Sequence, residues 1–182
     1  MVTDIPTTSP SIEAIWEWLN WVSDPEIPVL SIVDLGIVRQ IRWSDEGAEP
    51  TLLVTITPTY SGCPAMAVIK EDIVKALHLR GISRIRILTQ LSPAWTTDWM
   101  SEEGRLRLRE YGIAPPLLTE HEPADSFVTS PRPCKQGPST AVACPRCGSA
   151  DTRLVSRFGS TLCKAFFICN SCREPFDYFK CH

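Results

Sequence analysis

What the sequence has little of excludes several classes of protein at the start. No apolar run approaches the roughly 18 residues that a membrane-spanning helix needs. The N-terminal stretch MVTDIPTTSPS has neither the basic nor the apolar segment of a signal peptide. We therefore expect a cytoplasmic protein that does not contact a membrane. The sequence also lacks a P-loop, a G-x-G-x-x-G motif and a G-x-S-x-G motif, so nucleotide-binding and α/β-hydrolase functions receive no support.

Histidine is scarce, and this argues against cysteine–histidine catalysis. The chain has three histidines. His78 falls at the end of a predicted helix, His121 in a proline-rich stretch and His182 at the last position. None of them is an evident partner for Cys63, the one cysteine whose local sequence suggests reactivity. We therefore do not expect a cysteine–histidine hydrolase.

Positive charge is also limited, which argues against a nucleic-acid partner. The chain has a formal net charge of −3. Residues 143–182 carry six Lys and Arg against three Asp and Glu, while residues 1–142 carry twelve against eighteen. The small basic excess of the C-terminal part is far below the electrostatic footprint of a nucleic-acid binder. We expect no nucleic-acid partner.

Cysteine, by contrast, is plentiful, and four of the eight cysteines form two C-x-x-C pairs. These are Cys144 with Cys147 and Cys169 with Cys172. Without an export signal, cysteines are expected to be metal ligands or reactive thiols rather than disulfides. Two tight turns that each present two sulfurs to one ion are typical of a four-cysteine zinc ribbon, although rubredoxin-type iron sites use the same spacing. Zinc is favoured, and four thiolates leave no open position for chemistry, so a structural role is expected.

Three further potential ligands lie in the C-terminal part of the chain: Cys163, Cys181 and His182. A second metal ion is conceivable there. A ribbon needs only four ligands, however, so we interpret these residues as small side chains of the ribbon rather than as a second site.

Hydrophobic periodicity predicts a small α/β sandwich before the ribbon. The predicted order is helix, strand, strand, helix, strand, over residues 11–22, 37–43, 51–57, 64–79 and 84–88. A helix between the last two strands implies a right-handed crossover and therefore a parallel pair in a mixed sheet. A further helix is predicted over 101–111, although RLRLR also has the period of a strand. The predicted domains are an α/β domain over 1–114, a proline-rich linker over 115–142 and the zinc ribbon over 143–182.

A second site of interest is Cys63, which precedes Pro64 at the start of the second predicted helix. Proline favours the first helical position, so Cys63 is the predicted N-cap. Free amides and the positive end of the helix dipole would there favour the thiolate over the thiol. A buried structural cysteine is the alternative. The loop before the first predicted strand is rich in carboxylates, Asp24, Glu26 and Asp34, which could line the same pocket or could simply cap turns.

Together these residues resemble a known family. The segments D-P-E (residues 24–26) and D-L-G (34–36), and a cysteine-proline pair (63–64) after a threonine-rich strand, are similar to the markers of the iron–sulfur assembly family that includes SufT-like and cytosolic MIP-type proteins. With LSPAWTTDWMSEEGRLRLREYGIAPP and the ribbon ending EPFDYFKCH, the whole chain resembles the PaaD family, the D components encoded with the bacterial phenylacetyl-CoA epoxidase.

The resemblance implies an accessory role in aerobic phenylacetate catabolism rather than catalysis by this chain. It implies a maturation factor that assists iron or iron–sulfur cluster loading into partner components of the epoxidase system, such as the [2Fe-2S] reductase or the oxygenase, with iron–sulfur assembly machinery as a further partner. Cys63 would be the reactive thiol that transiently holds iron or a cluster. Asp24, Glu26 and Asp34 would shape its pocket, and Thr57 and Thr59 would lie on its approach.

An alternative role is a structural subunit of the oxygenase complex that contributes surface and no chemistry. The sequence leaves open whether the chain forms a homo-oligomer and which component is its client.

Overall fold

The computed structural model describes residues 9–45, 49–116 and 142–180, and it has the mixed α/β architecture that the sequence predicts. The N-terminal part contains α1 (Ile12–Leu19), β1 (Val38–Ser44), β2 (Thr51–Ile56), α2 (Ala65–His78), β3 (Ile85–Thr89), a 3-10 turn (Thr97–Trp99), α3 (Glu102–Tyr111) and β4 (Ile113–Ala114). The C-terminal part contains β5 (Thr152–Ser156), β6 (Lys164–Cys169) and β7 (Pro175–Phe179). None of the helices in these ranges is long and apolar enough to cross a membrane.

The N-terminal sheet has the strand order β1-β2-β3. Strands β1 and β2 are antiparallel, whereas β2 and β3 are parallel and are connected through α2. Strand β2 lies in the centre, and Leu53 and Thr55 are buried as well as Leu52, Val54 and Ile56. A central strand can be covered on both faces, and alternation in sequence does not report this.

Helices α1 and α2 bury regularly spaced apolar side chains in the N-terminal core. Ser11 caps α1 by accepting a hydrogen bond from the Ala14 amide at 3.2 Å, which satisfies one of the free amides of the first turn. Helix α2 buries Ala65, Ile69, Ile73 and Leu77 at four-residue spacing. Helix α1 ends at Leu19, three residues before the predicted end.

The C-terminal part forms a second sheet of order β4-β7-β6-β5. Strands β5, β6 and β7 form an antiparallel meander around a small aromatic core, in which Phe167 stacks on Phe176 at 5.8 Å between ring centroids. Strand β4, which directly follows α3, pairs in parallel with β7. The ribbon sheet thus includes a strand from the N-terminal part, while nearly all of the predicted linker lies outside the described residues.

The two parts also share an apolar core. Phe179 of β7 and Cys163, just before β6, are buried in the same cluster as the N-terminal core residues. The Phe179 ring meets Trp95 edge to face, with centroids 6.1 Å apart. Gly112, at φ +95°, ends α3, and a Cβ there would lie 3.0 Å from the Arg146 guanidinium of the ribbon. The ribbon is therefore packed directly against the N-terminal domain.

Candidate metal and thiol sites

The four predicted ligands of the ribbon come together in one cluster. The Sγ atoms of Cys144, Cys147, Cys169 and Cys172 all lie within 4.8 Å of one another. Across the two turns, Cys144 lies 3.7 Å from Cys172 and Cys147 lies 3.6 Å from Cys169. Four thiolates around zinc, with Zn–S bonds of about 2.3 Å, are separated by about 3.8 Å. The residues therefore fit a tetrahedral zinc ion.

The two turns that carry these cysteines have the same backbone design. Each places a residue with positive φ directly after its second cysteine, Gly148 at φ +75° and Arg173 at φ +67°. The amide of each donates to the carbonyl of the first cysteine of its pair, at 2.9 and 3.0 Å. The Cys172 amide donates to the Cys169 sulfur at 3.5 Å. This hydrogen bond lowers the pKa of Cys169 and so favours the thiolate that a metal ion requires.

Cys63 lies in a tight turn between β2 and α2 rather than at the helix cap. Its amide donates to the Tyr60 carbonyl at 3.2 Å, and its carbonyl accepts from the Met66 amide at 3.3 Å. Pro64 is the N-cap of α2, without a side-chain cap. The predicted N-cap position of Cys63 is therefore wrong by one residue, because this i+3 hydrogen bond makes a turn and the regular helix begins one residue later. The side chain remains half-exposed beside the helix start.

Tyr60 is a direct neighbour of the Cys63 side chain. The tyrosine side chain hydrogen-bonds to the Cys63 side chain. Burial raises the pKa of Tyr60 well above its usual value. The hydrogen bond to Cys63 and the charges of Cys63, Glu26 and Cys163 raise this pKa further. The phenol therefore remains neutral, and it is within electrostatic range of Cys63, Glu26 and Cys163.

Asp24 and Glu26 lie in the same loop but differ in burial and in their contacts. Asp24 is buried, and its Oδ1 accepts from the amides of Glu26 and Ile27, both at 2.8 Å. It therefore closes the turn. The Glu26 side chain is half-buried, and its Oε2 lies 4.0 Å from the Cys163 sulfur. Burial raises the pKa of both carboxyls, and nearby Lys164 opposes the shift in each case.

The Asp34 carboxylate makes a different set of contacts. Its carboxylate accepts from Ser101 Oγ at 2.8 Å, from the Ser31 amide at 3.2 Å and from Arg107 at 2.9 Å. These contacts tie the loop before β1 to α3. The observed contacts give Asp34 a structural task, and its predicted place in the Cys63 pocket stays a prediction.

Two threonines follow β2 on the way to Cys63. Thr57 is 1% exposed, and its hydroxyl has no hydrogen-bond partner in the part of the chain that the structure describes. A buried hydroxyl without a partner costs free energy and is commonly explained by a water, an ion or a function. Thr59 is half-buried in the bend beyond it.

Sequence reasoning missed Tyr60 beside Cys63, and it missed Cys163 and Lys164 near Glu26. As interpreted from the sequence, Cys163 is not among the four clustered sulfurs, and it is buried against the N-terminal core. Lys164 is 5% exposed, contacts Asp177 at 3.6 Å and acts electrostatically on Asp24 and Glu26. No local signal revealed that Cys163 and Lys164 lie near the carboxylate loop, because they meet it only through the packing of the two domains. Cys134, Cys181 and His182 lie outside the described residues.

Comparison with known proteins assigns both parts of the chain. Residues 12–87 match the family model of the iron–sulfur cluster assembly protein, and residues 129–180 match that of the PaaD zinc beta ribbon domain. A "Fe-S protein maturation auxiliary factor" of Porphyromonas gingivalis is 39% identical over 53% of this chain and 89% of its own. A crystal structure of a domain of unknown function DUF59 from Bacillus anthracis has a TM-score of 0.47 and 26% identity, covering 53% of this chain and 89% of that one.

A further relative spans nearly the whole chain. It is an Escherichia coli K12 protein, the D-type subunit of a "Putative 1,2-phenylacetyl-CoA epoxidase", which is 46% identical over 94% of both chains. The order of the two matched domains, the four-sulfur cluster and this full-length similarity agree. The chain therefore belongs to the PaaD family, the D components of phenylacetyl-CoA epoxidase systems, in which an iron–sulfur assembly domain precedes a zinc ribbon.

Proposed function

We propose that this chain is an accessory maturation component of the phenylacetyl-CoA epoxidase system, which helps to load iron or an iron–sulfur cluster into a partner component such as the [2Fe-2S] reductase. The observation that carries the proposal is the half-exposed Cys63 thiol, held in a turn beside Tyr60, in a domain that matches the iron–sulfur assembly family. Such a role would be carried out in the cytoplasm.

The chemistry of the Cys63 neighbourhood suits an ion that is passed on. A thiolate is a good ligand for iron, and a carboxylate adds charge and an oxygen donor. Among the described residues, only the ribbon cysteines form a preassembled group of three or more potential ligands. An ion held at Cys63 would therefore keep positions open, which a recipient's ligands need for transfer. The ribbon, with zinc as the proposed ion, would hold its module together and contact the recipient.

The test is the Cys63→Ala variant of the intact chain, produced with the partner components. The expected result is a lower [2Fe-2S] content of the purified reductase and lower epoxidase activity, because the transient ligand is gone. The matched control is Ser61→Ala, in the same turn but with an exposed side chain, which should leave cluster content unchanged. Wild-type cluster content in the Cys63→Ala sample would refute the proposal.

A structural subunit of the oxygenase complex is the second candidate. It is favoured by the contacts of Asp24 and Asp34, whose carboxylates hold the loop in place through backbone and side-chain hydrogen bonds. This candidate predicts co-purification with the oxygenase in fixed stoichiometry and a Cys63→Ala variant that behaves as the wild type. Sub-stoichiometric, transient association would argue against it.

A further inference from the structure

Strand β3 is an edge strand whose outer side pairs with no other strand among the described residues. The N-terminal sheet ends with β3, next to β2. The Leu52 amide donates to the Arg84 carbonyl at 2.9 Å, and the Gln90 amide donates to the Ile56 carbonyl at 2.8 Å. A strand in a parallel pair bonds its neighbour through every second residue, so the residues between them direct their amides and carbonyls outward. These outward-facing residues are Ile85, Ile87 and Thr89.

The other edge strands of the two sheets have features that hinder pairing with another chain, and β3 lacks them. Strands β1 and β5 each have an irregular register, between Val38 and Gln40 and between Leu154 and Ser156. Strand β4 has only two residues. Bulges and short strands are common means by which native edges avoid pairing with another chain. Strand β3 pairs in regular register over all five of its residues and contains no proline, so it is the edge best suited to pairing.

The side chains of β3 are incompletely covered. Ile85 and Ile87 lie beside Leu52 and Val54 of β2 and pack against the same core, but they are only half-buried, whereas their two neighbours are fully buried. On the opposite face of the sheet, Leu88 is 36% exposed. An additional strand at this edge would remove apolar surface from water on both faces, which stabilises an association.

We propose that β3 pairs antiparallel with β3 of a second copy of this chain, about a two-fold axis at Ile87, so that two N-terminal sheets join into one. This register places Ile87 opposite Ile87, Ile85 opposite Thr89 and Arg86 opposite Leu88. All three outward-facing residues of each copy then exchange hydrogen bonds with the other. An axis at Arg86 would set this side chain against itself, and like charges directly opposite are destabilising. An axis at Leu88 would leave the outward groups of Ile85 unpaired.

A second copy suits this edge because the strand is complementary to itself. The two arginines of the segment meet uncharged residues, since Arg84 falls opposite Gln90 in the same register. A two-fold interface covers the open edges of both copies at once, and such dimers are the commonest oligomers of soluble proteins. Because the strands run in opposite directions, the two Cys63 turns, which follow β2, would lie at opposite ends of the joined sheet. The dimer would leave both thiols accessible, and it does not depend on the proposed role in cluster loading.

The test is sedimentation velocity of the full-length, zinc-loaded chain with opposite charges introduced at one exposed position. Leu88→Glu places a carboxylate opposite Arg86 of the second copy, twice in each dimer, and should tighten the dimer. Leu88→Arg places a like charge there and should weaken it, so that the dissociation constants of the two variants differ by about tenfold or more. The matched control pair is Leu106→Glu and Leu106→Arg on α3, at a position that is 57% exposed. Both controls should dimerise as the wild type does.

A substitution at Thr89 tests the backbone pairing itself. Thr89→Pro removes an outward-facing amide and should give a monomer, while the sheet survives because proline is tolerated in an edge strand whose amide points away from the sheet. Thr89→Val keeps the amide and should remain dimeric, and zinc content and circular dichroism check the fold of every variant. A wild type that sediments as a monomer at micromolar and higher concentrations would overturn the inference. So would a dimer that persists in Thr89→Pro, or one that responds in the same direction to both substitutions of Leu88.

Discussion

The ribbon cluster and the Cys63 neighbourhood show two ways of placing thiols in one chain. In the ribbon, two turns of the same design bring four sulfurs together from within about 30 residues of sequence, and every ligand position around a tetrahedral ion is filled. The half-exposed Cys63 thiol lies in a turn after β2 beside Tyr60, and among the described residues it belongs to no cluster of three or more potential metal ligands. The first arrangement fits a structural ion, whereas the second leaves a single thiol accessible.

The largest effect is expected from removing a ribbon ligand. Cys144→Ser should lose the single bound zinc and unfold the ribbon, because a structural zinc contributes about 10 kcal/mol or more to so small a module. Metal analysis and amide hydrogen exchange of β5–β7 would measure this. Cys63→Ala is the control and should keep its zinc. A Cys144→Ser variant that retained zinc would contradict the assignment of the four ribbon cysteines as a closed structural zinc site.

The next effect concerns the packing of the two regions on each other. Phe179→Ala should destabilise the N-terminal domain by about 3 to 5 kcal/mol, because the Phe179 ring is buried in the N-terminal core. Phe176→Ala, a loss of the same size in the ribbon's own core, is the matched control. Hydrogen exchange in β1–β3 should accelerate in the first variant and remain slow in the second. Equal exchange in both would mean that the regions unfold independently.

A smaller effect is expected from Asp34→Ala, which tests whether this carboxylate has a structural role. Asp34→Ala removes hydrogen bonds to Ser31, Ser101 and Arg107 and should cost about 2 to 3 kcal/mol in the free energy of unfolding. Because these contacts hold the loop against α3, the [2Fe-2S] content of a reductase produced with the folded variant should stay unchanged. Denaturant titration of the variant and cluster analysis of the reductase measure the two quantities. A loss of cluster content without a loss of stability would instead place Asp34 in the Cys63 pocket.

The smallest effect is expected at Thr57. Thr57→Val keeps the shape and removes a buried hydroxyl that has no partner among the described residues, so the protein should become about 1 kcal/mol more stable. Thermal unfolding tests this, with Thr55→Val in β2, two residues earlier in the chain, as a comparison. A gain in stability combined with a loss of cluster loading would identify Thr57 as a functional group. Destabilisation would mean that the hydroxyl binds a water or another partner.

The sequence predicted helices α1 to α3 and strands β1 to β3, for most of which apolar side chains recur at helical or strand spacing, but it gave no bounds for strands β4 to β7. Predicted and observed ends differ by at most three residues, and Cys63 missed the N-cap by one. The helix over residues 101–111 formed despite the strand-like period of RLRLR. Its Ser101 cap and Gly112 end are helix signals that do not depend on that period.

The candidate site was only partly predictable. The turn after β2 and the carboxylate loop were found because their residues are neighbours in sequence. The contact between Cys163 and Glu26 could not be predicted in this way, because the two residues are 137 positions apart. The burial of Lys164 at the interface could not be predicted either.

By itself, the sequence determined the four-sulfur cluster, because two residues between paired cysteines dictate a turn that points both sulfurs at one ion. It also determined the mixed sheet, because a helix between two strands of one sheet requires a parallel crossover. Only the tertiary structure decided that Asp24 and Asp34 stabilise the loop while Glu26 faces Cys163. The reason is that burial and hydrogen-bond partners depend on which surfaces pack together, and the local sequence carries no record of that packing.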